Sequence, residues 1–409
     1  MDHRSVNLIV RTSPGPVGKR SWEPVLQYIV KLRARCVQPP APPFTRRWVN
    51  IGPGYCYGPA CGHIDLVHMV LDFVADDPEL ARDQMLNLFD VQRADGSIPF
   101  VWMGDNPARR WLPAGTPLAA RLQNAGTYPP WWPVAVEACL QTRADEELLV
   151  RAQAALTRLL AWFDANRRLP DGGYFYEDVF GTKKWESGMD QSIRFQNPPP
   201  QPVACVDATS HVFWCRQFAA LWAKRLGEDA GPHEAAVAAL RPYIQRTFWC
   251  PETNWFHDPW HRQFAFEGMW PLVVGAASDQ QAAAALDGTL LHPERFNTPH
   301  PIATVGRNDA AFQMRMLHGP AWNAFTMWAA LGCLHYGRPD GARQLLEKAL
   351  DRTAAEFART GTVWEFYHSL GGRPEDVARK PGQAFTAPCR EYYGHNPLWA
   401  MARIWKGLA

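Results

Sequence analysis

The 409-residue chain has no run of 18 apolar residues, no Cys-x-x-Cys pair, no glycine-rich phosphate loop and no excess of either charge. Each absence removes a class of protein. A membrane-spanning helix needs about 20 mostly apolar residues, so none is expected. Without a GxGxxG or Walker-type loop, there is no case for a dinucleotide- or nucleotide-binding fold. Lys and Arg number 42 against 40 Asp and Glu, a formal net charge of +2, which leaves no electrostatic footprint for nucleic acid or an anionic membrane. The opening stretch MDHRSVNLIVRTSPGPVGKR has an apolar part too short for a signal-peptide core. The nine cysteines are odd in number and scattered. Cys56 and Cys61 lie close in a Gly/Pro-rich loop, with no matching His or Cys cluster downstream. The thiols therefore read as reduced core fillers in a cytoplasmic protein.

Aromatic residues, by contrast, are abundant: 19 Trp, 20 Phe and 11 Tyr. With 47% hydrophobic and 20% charged residues the chain is globular rather than disordered. Indole rings can fill a helical core, or they can present flat faces on which the C–H surface of a sugar stacks. Trp in loops, as in Pro130-Trp131-Trp132-Pro133 and Asn254-Trp255-Phe256-His257, points more to a ligand surface.

Most of the chain reads as helices joined by long loops. Residues 64–74 place Leu66, Val67, Val70, Leu71 and Val74 at a 3.6-residue period. Asp76-Asp77-Pro78 then supplies a turn and a new start, and 80–92 repeats the pattern. The same hairpin recurs in 132–141 with 146–166, 209–226 with 233–248, and 320–336 with 341–357. Residues 22–35, 278–286 and 397–408 bring the total to about a dozen helices, the last apolar on both faces. No long period-2 strand is expected. Helical hairpins without a fixed sequence period suggest an all-α closed toroid, a six-hairpin barrel, rather than a solenoid. Loops 51–62, 95–130, 170–207 and 360–396 would then gather on one face. Residues 1–20 read as a tail or strap, and 21–409 as a single domain.

Two acidic centres stand out. In Lys184-Trp185-Glu186-Ser187-Gly188-Met189-Asp190-Gln191-Ser192, two carboxylates lie four apart between Pro/Gly-rich loops. A carboxyl desolvated by aromatics favours the protonated form that a general acid needs. Taken alone, a helix cap or a surface Asp is the plainer reading. In Val363-Trp364-Glu365-Phe366-Tyr367 a lone glutamate sits among three aromatics, and a buried Glu is paired, protonated or functional. Glu186 is expected to pair with Lys183, Lys184 or Arg194, and Asp207 and Asp309 to be loop or cap residues. His63 and His68, five apart, do not have the spacing of a helical metal site.

The stretch WESGMDQS at 185–192 resembles the signature of glycoside hydrolase family 63 and its relatives, including the trehalases. Residues 365–372, EFYHSLGG, resemble that family's C-terminal Glu-x-Tyr-x-Pro-x-x-Gly segment. Residues 78–99, 296–303 and 319–322 resemble further family segments, in the family order. In its compact length the chain is most similar to small bacterial members resembling mannosylglycerate and glucosylglycerate hydrolases. The resemblance implies an (α/α)6 toroid that hydrolyses with inversion, with Asp190 as general acid and Glu365 as base and no cofactor. Asp65 matches a sugar-binding Asp. Trp185, Trp322 and Trp364 are candidate subsite walls, and Gly188, Tyr128 and Arg194 complete the expected substrate-binding set. No metal is implied, and the expected partner is a small carbohydrate. The chain departs from the family pattern at Ile64 (Trp in the family), Tyr128 (Gln), His318 (Arg) and Ser369 (Pro).

The expected function is an inverting α-glycosidase acting on a small α-glucoside or α-mannoside. An α,α-trehalase shares both toroid and signature. A catalytically inactive carbohydrate-binding toroid would not need both carboxyls. A toroid isomerase or lyase would depend on histidines, and His300, His318 and His395 are dispersed along the chain.

Overall fold

Helix boundaries follow local chemistry. In the computed structural model, which describes residues 17–56, 58–99, 101–103, 126–181, 185–380 and 385–408, twelve helices carry the architecture. They are α1 Glu23–Cys36, α2 His63–Phe73, α3 Pro78–Asp90, α4 Trp132–Thr142, α5 Glu146–Asn166, α6 Val206–Leu226, α7 Gly231–Thr247, α8 Trp270–Val273, α9 Asp279–Ala285, α10 Asn323–His335, α11 Pro339–Thr360 and α12 Leu398–Gly407. Asp77 caps α3 by accepting from the Leu80 amide at 3.0 Å, and Asp145 caps α5 in the same way. Ser278 and Gln281 form a capping box at α9. Left-handed Gly227 and Gly361 end α6 and α11. Among the described residues, short two-stranded ribbons interrupt the helices: β1 Val37–Gln38 with β2 Trp48–Val49, β3 Ala60–Gly62 with β4 Val101–Met103, and β5 Trp249–Cys250 with β6 Trp255–Phe256, all antiparallel.

The inner helices are apolar around their circumference; every residue of α2 is buried, as is nearly every residue of α10. The outer helices α5 and α11 bury one stripe only. Consecutive hairpins pack side by side, α2–α3, α4–α5, α6–α7 and α10–α11, and the last helix returns to pack on the first inner one, α12 against α2. This is an (α/α)6 toroid.

Closure depends on one buried carboxylate. Asp72, near the end of α2, accepts from the Trp399 and Ala400 amides at the start of α12 (2.7 and 3.1 Å) and from the Tyr393 hydroxyl at 2.8 Å. Arg403 donates to the Asp72 carbonyl and to Asp76. The chain thus caps its last helix with a side chain more than 320 residues upstream.

The centre of the ring is filled with aromatics. Trp131, Trp214, Trp270 and Trp328 pack with centroids 4.7–6.3 Å apart, with His211 4.3 Å from Trp270 and His68 5.7 Å from Trp131. The Trp131 indole donates to His211 Nε2 at 2.9 Å, and that of Trp328 to His68 Nε2 at 3.0 Å. Trp131, Trp132 and Trp255, expected at a ligand surface, are therefore core residues, fully buried. Proximity to Pro and Asn in sequence says nothing about which side of a helical ring an indole faces.

Asp72→Ala is expected to lower the free energy of unfolding by about 1–3 kcal/mol, the cost of leaving buried donors unpaired. Urea denaturation checks it; a change below about 0.5 kcal/mol, the range of ordinary surface substitutions, would show that the ring closes without this cap.

Candidate active site

Glu365 lies on an extended segment laced between two others. Its amide donates to Cys389 O at 2.8 Å, and Tyr367 exchanges amide hydrogen bonds with Ala321. Pairing with 321 keeps residues 320–322 extended, so α10 begins three residues later than its apolar pattern suggests. The Glu365 side chain is buried and held in a fork: Arg379 Nε donates to Oε2 at 2.8 Å, Arg379 Nη2 to Oε1 at 3.0 Å, and the Cys389 amide to Oε2 at 3.1 Å. Burial alone would raise its pKa. The Arg379 charge and these hydrogen bonds outweigh burial and lower it below the usual glutamate value. Glu365 is thus a fixed, ionised carboxylate.

Asp190 ends the WESGMD turn. Gly188 takes φ +69°, where Ile64 and Pro129 crowd its open side, and Gln191 takes φ +62°. A non-glycine residue there is strained, and such strain concentrates at functional sites. The turn is buttressed from behind. Ser187 donates its amide and hydroxyl to Asp178 at 3.0 and 2.7 Å, and burial pushes the Asp178 pKa up to about 8. His318 donates to the Gln191 carbonyl at 2.6 Å, and Ser192 donates to buried Glu267. Lys380 pairs with Asp190 Oδ2. The carboxyl expected among aromatics thus also has an ammonium in contact.

Asp65 enters from the first turn of α2. Tyr392 donates to its Oδ1 at 2.9 Å, and His395 Nε2 lies 3.3 Å from the same oxygen. Burial raises its pKa, opposed by His395 and Tyr392. Gly62 and Gly394 approach so closely that a Cβ on either would collide with this carboxylate.

The three carboxylates converge. His395 senses the charges of Asp65, Glu365 and Asp190 together, although burial, the larger effect, lowers its pKa. Its ring stacks on Tyr392 at 5.0 Å and meets the Trp322 ring edge-on at 4.7 Å. Tyr128 lies within the field of both Asp190 and Asp65. Trp364 is buried, with Arg390 5.4 Å from its ring centroid, and Trp185, half-buried, starts the turn that carries Gly188 and Asp190. Asp190 Oδ1, His395 Nδ1, Trp322 Nε1 and Trp364 Nε1 are buried with no hydrogen-bond partner among the described residues. Buried polar atoms are normally satisfied, so the unmet atoms of Asp190, His395 and Trp322, whose indole packs on the His395 ring, suit a polyhydroxylated ligand.

Three expectations are corrected. Arg194 does not face this group: its guanidinium is fully buried between Asp207 (2.6 Å) and Asp258 (2.8 Å), so it braces α6 rather than a ligand. Asp207 is accordingly an ion-pair partner rather than a simple cap, whereas Asp309 does cap a loop, accepting from the Phe264 and Ala311 amides. Glu186 pairs with Arg167 at 2.9 Å; Lys183 and Lys184 lie outside the described residues, as do 1–16 and much of loop 95–130. Arg379, Lys380 and Tyr392 had no signal in the sequence. His395 and His318, far apart in the chain, both reach the site.

A helical toroid that gathers buried Asp65 and Glu365 and half-buried Asp190 among indole rings is the frame of a glycoside hydrolase. The model of the mannosylglycerate hydrolase MGH1-like glycoside hydrolase domain matches residues 59–395. The chain belongs to that family. Among solved structures, the family 63 mannosylglycerate hydrolase from Thermus thermophilus in complex with Tris and D-glycerate superposes with a TM-score of 0.69 at 18% identity, covering 93% of this chain and 99% of that one. A neutral trehalase, Nth1 from Saccharomyces cerevisiae, superposes with a TM-score of 0.63 at 15% identity, over 94% and 79% of the two chains. Both likenesses are of fold. Among curated proteins none matches by sequence.

Arg379→Gln should leave a buried carboxylate unpaired and cost about 3–5 kcal/mol at neutral pH. A Glu with a lowered folded pKa stabilises the fold above its unfolded pKa, and that contribution is lost as pH falls through the folded value. The deficit of the variant should therefore shrink on acidification, as the orphaned carboxyl takes up a proton. Stability of both proteins measured from neutral to acid pH checks this; a deficit that grows toward acid would refute the pairing.

Proposed function

We propose that the protein is an inverting α-glycosidase acting on a small α-mannoside or α-glucoside with a compact aglycone. Asp190 protonates the departing oxygen, and Glu365 deprotonates a water on the opposite face of the ring. Asp65 accepts from a sugar hydroxyl, and Trp185, Tyr128, Trp322 and Trp364 shape the subsite around it. The convergence of Asp65, Asp190 and Glu365 on His395 carries this reading.

The two carboxylates are suited to different tasks. Glu365 is ionised and immobile, as a base that must orient a water requires. Asp190 lies at the partly exposed end of its turn, with Lys380 as a counter-ion on a flexible stem. Entry of substrate moves Lys380 off Asp190 and frees the acid to carry its proton. The displaced ammonium then faces the leaving group, which favours an aglycone bearing a carboxylate. The Thermus enzyme's complex with D-glycerate agrees with that choice. Trehalose offers Lys380 no such partner. Released monosaccharide from mannosylglycerate, glucosylglycerate, trehalose, kojibiose and nigerose, assayed side by side, separates these substrates; trehalose as the preferred substrate would overturn the anionic-aglycone reading.

Asp190→Asn and Glu365→Gln are each expected to reduce kcat by roughly 10² to 10⁴, the scale of general acid–base catalysis, with little change in folding. Turnover like wild type in either purified variant removes that residue from the mechanism.

Inversion requires room for a water, so the carboxyls of an inverting pair stand about 6.5–9.5 Å apart, against about 5–5.5 Å in a retaining pair. The β-anomer should be released first. Proton NMR read before mutarotation decides it, since initial α-anomer would make Glu365 a nucleophile.

A further inference from the structure

Two thiols meet behind the base. Cys56 sits half-buried on the loop before β3, and Cys389 sits buried on the strand-like segment beside Glu365. The Cys56 amide approaches Cys389 Sγ at 3.4 Å, and the two side chains are hydrogen-bond partners. They share a small apolar cluster with Ile51, Ala60, Tyr55 and Tyr392. Arg379 extends its positive field over both sulfurs. No covalent bond joins them. Cysteines 36, 61, 139 and 333 are buried singly, and burial pushes their thiols up to about 12.

We propose that Cys56 and Cys389 are a redox-active pair that a hydroperoxide closes to a disulfide, withdrawing the amide that holds Glu365 and slowing hydrolysis. The division of labour follows from the surroundings. The hydrogen bond from Cys389 is the largest influence on Cys56 and, with Arg379 assisting, lowers its pKa against the opposing effect of burial; the same contact raises that of Cys389. Cys56 is also the more accessible of the two. As thiolate it attacks the terminal peroxide oxygen, breaking the O–O bond to give a sulfenic acid and an alkoxide (hydroxide from hydrogen peroxide), which takes a proton from solvent. The Cys389 thiol then attacks the sulfenic sulfur and the S–O bond breaks. The leaving hydroxide takes the Cys389 proton as water, and the proton balance is completed by solvent. Two thiols are oxidised and one hydroperoxide is reduced to water and an alcohol, or to two waters from hydrogen peroxide.

The consequence for Glu365 is geometric. A disulfide requires sulfurs about 2.05 Å apart, well inside any non-bonded contact, so the segments carrying 56 and 389 must draw together. Cys389 carries both backbone hydrogen bonds that position Glu365: its amide on Oε2 and its carbonyl on the Glu365 amide. A displacement of about 1 Å at a positioning group can cost roughly 10²-fold in rate.

The inhibitory half rests on Glu365 being the base; formation of the bond does not. The full-length protein is treated with hydrogen peroxide and followed by intact mass, peptide mapping and turnover of the preferred glycoside. The expected result is loss of two hydrogens, a Cys56–Cys389 cross-linked peptide and a fall in kcat of at least about tenfold, reversed by dithiothreitol. Cys56→Ser should form no cross-link and keep its turnover under the same treatment. A protein that gains oxygen at Cys56 without the cross-link overturns the pair, as does equal peroxide sensitivity in Cys56→Ser. A cross-linked protein with undiminished turnover overturns the coupling to Glu365. If no glycoside is turned over at all, the mapping still decides the bond, and the proposed function is what fails.

Discussion

The hydrogen-bond needs of buried indoles at the centre of the ring constrain the residues around them. An indole N–H can only donate. Two of these indoles, Trp131 and Trp328, donate to His211 Nε2 and His68 Nε2. Both imidazoles must then be neutral, with the remaining proton on Nδ1, and burial lowers both pKa values well below the ordinary histidine value. That tautomer leaves each ring one proton to place. His211 Nδ1 gives it to the Tyr176 hydroxyl at 2.8 Å, and His68 Nδ1 to the Gly394 carbonyl at 3.1 Å. Gly394 is the residue whose backbone closes on Asp65, and its neighbour is His395. The floor of the candidate active site is therefore positioned by the polar demands of the core.

This coupling explains which parts of the structure could be read from sequence. Helix periodicity is local, and α2, α3, α5 and α11 appear where their apolar patterns place them, within a few residues. Asp190 and Glu365 were visible because an unusual turn and an isolated glutamate among aromatics are also local features. Their partners were not. Arg379 lies 14 residues from Glu365 and Lys380 lies 190 from Asp190, in a loop with no periodicity. Trp131, Trp132 and Trp255 misled because a tryptophan's neighbours in the chain do not determine its neighbours in space. Arg194 misled for a related reason: an arginine beside the signature turn is equally well spent bracing Asp207 and Asp258.

Arg379 and Lys380 make opposite commitments although they are adjacent. The guanidinium of Arg379 is planar, bidentate and buried, and it keeps Glu365 still. The ammonium of Lys380 is a point charge on a four-carbon stem and can exchange partners. One short segment thus supplies a bidentate counter-ion to one carboxylate and a single-point one to the other, the asymmetry that the proposed acid and base call for.

The packing of Trp131, Trp214, Trp270 and Trp328 also gives the molecule an internal optical reporter. Near-UV circular dichroism arises from aromatic rings held in fixed asymmetric packing, and it vanishes when that packing loosens even while helices persist. Four indoles from different inner-ring elements, with two imidazoles bonded among them, concentrate that signal at the axis of the toroid. A loss of near-UV ellipticity at unchanged helix content would therefore mark the ring loosening at its centre, and through His68 and Gly394 the same event would release the floor beneath Asp65.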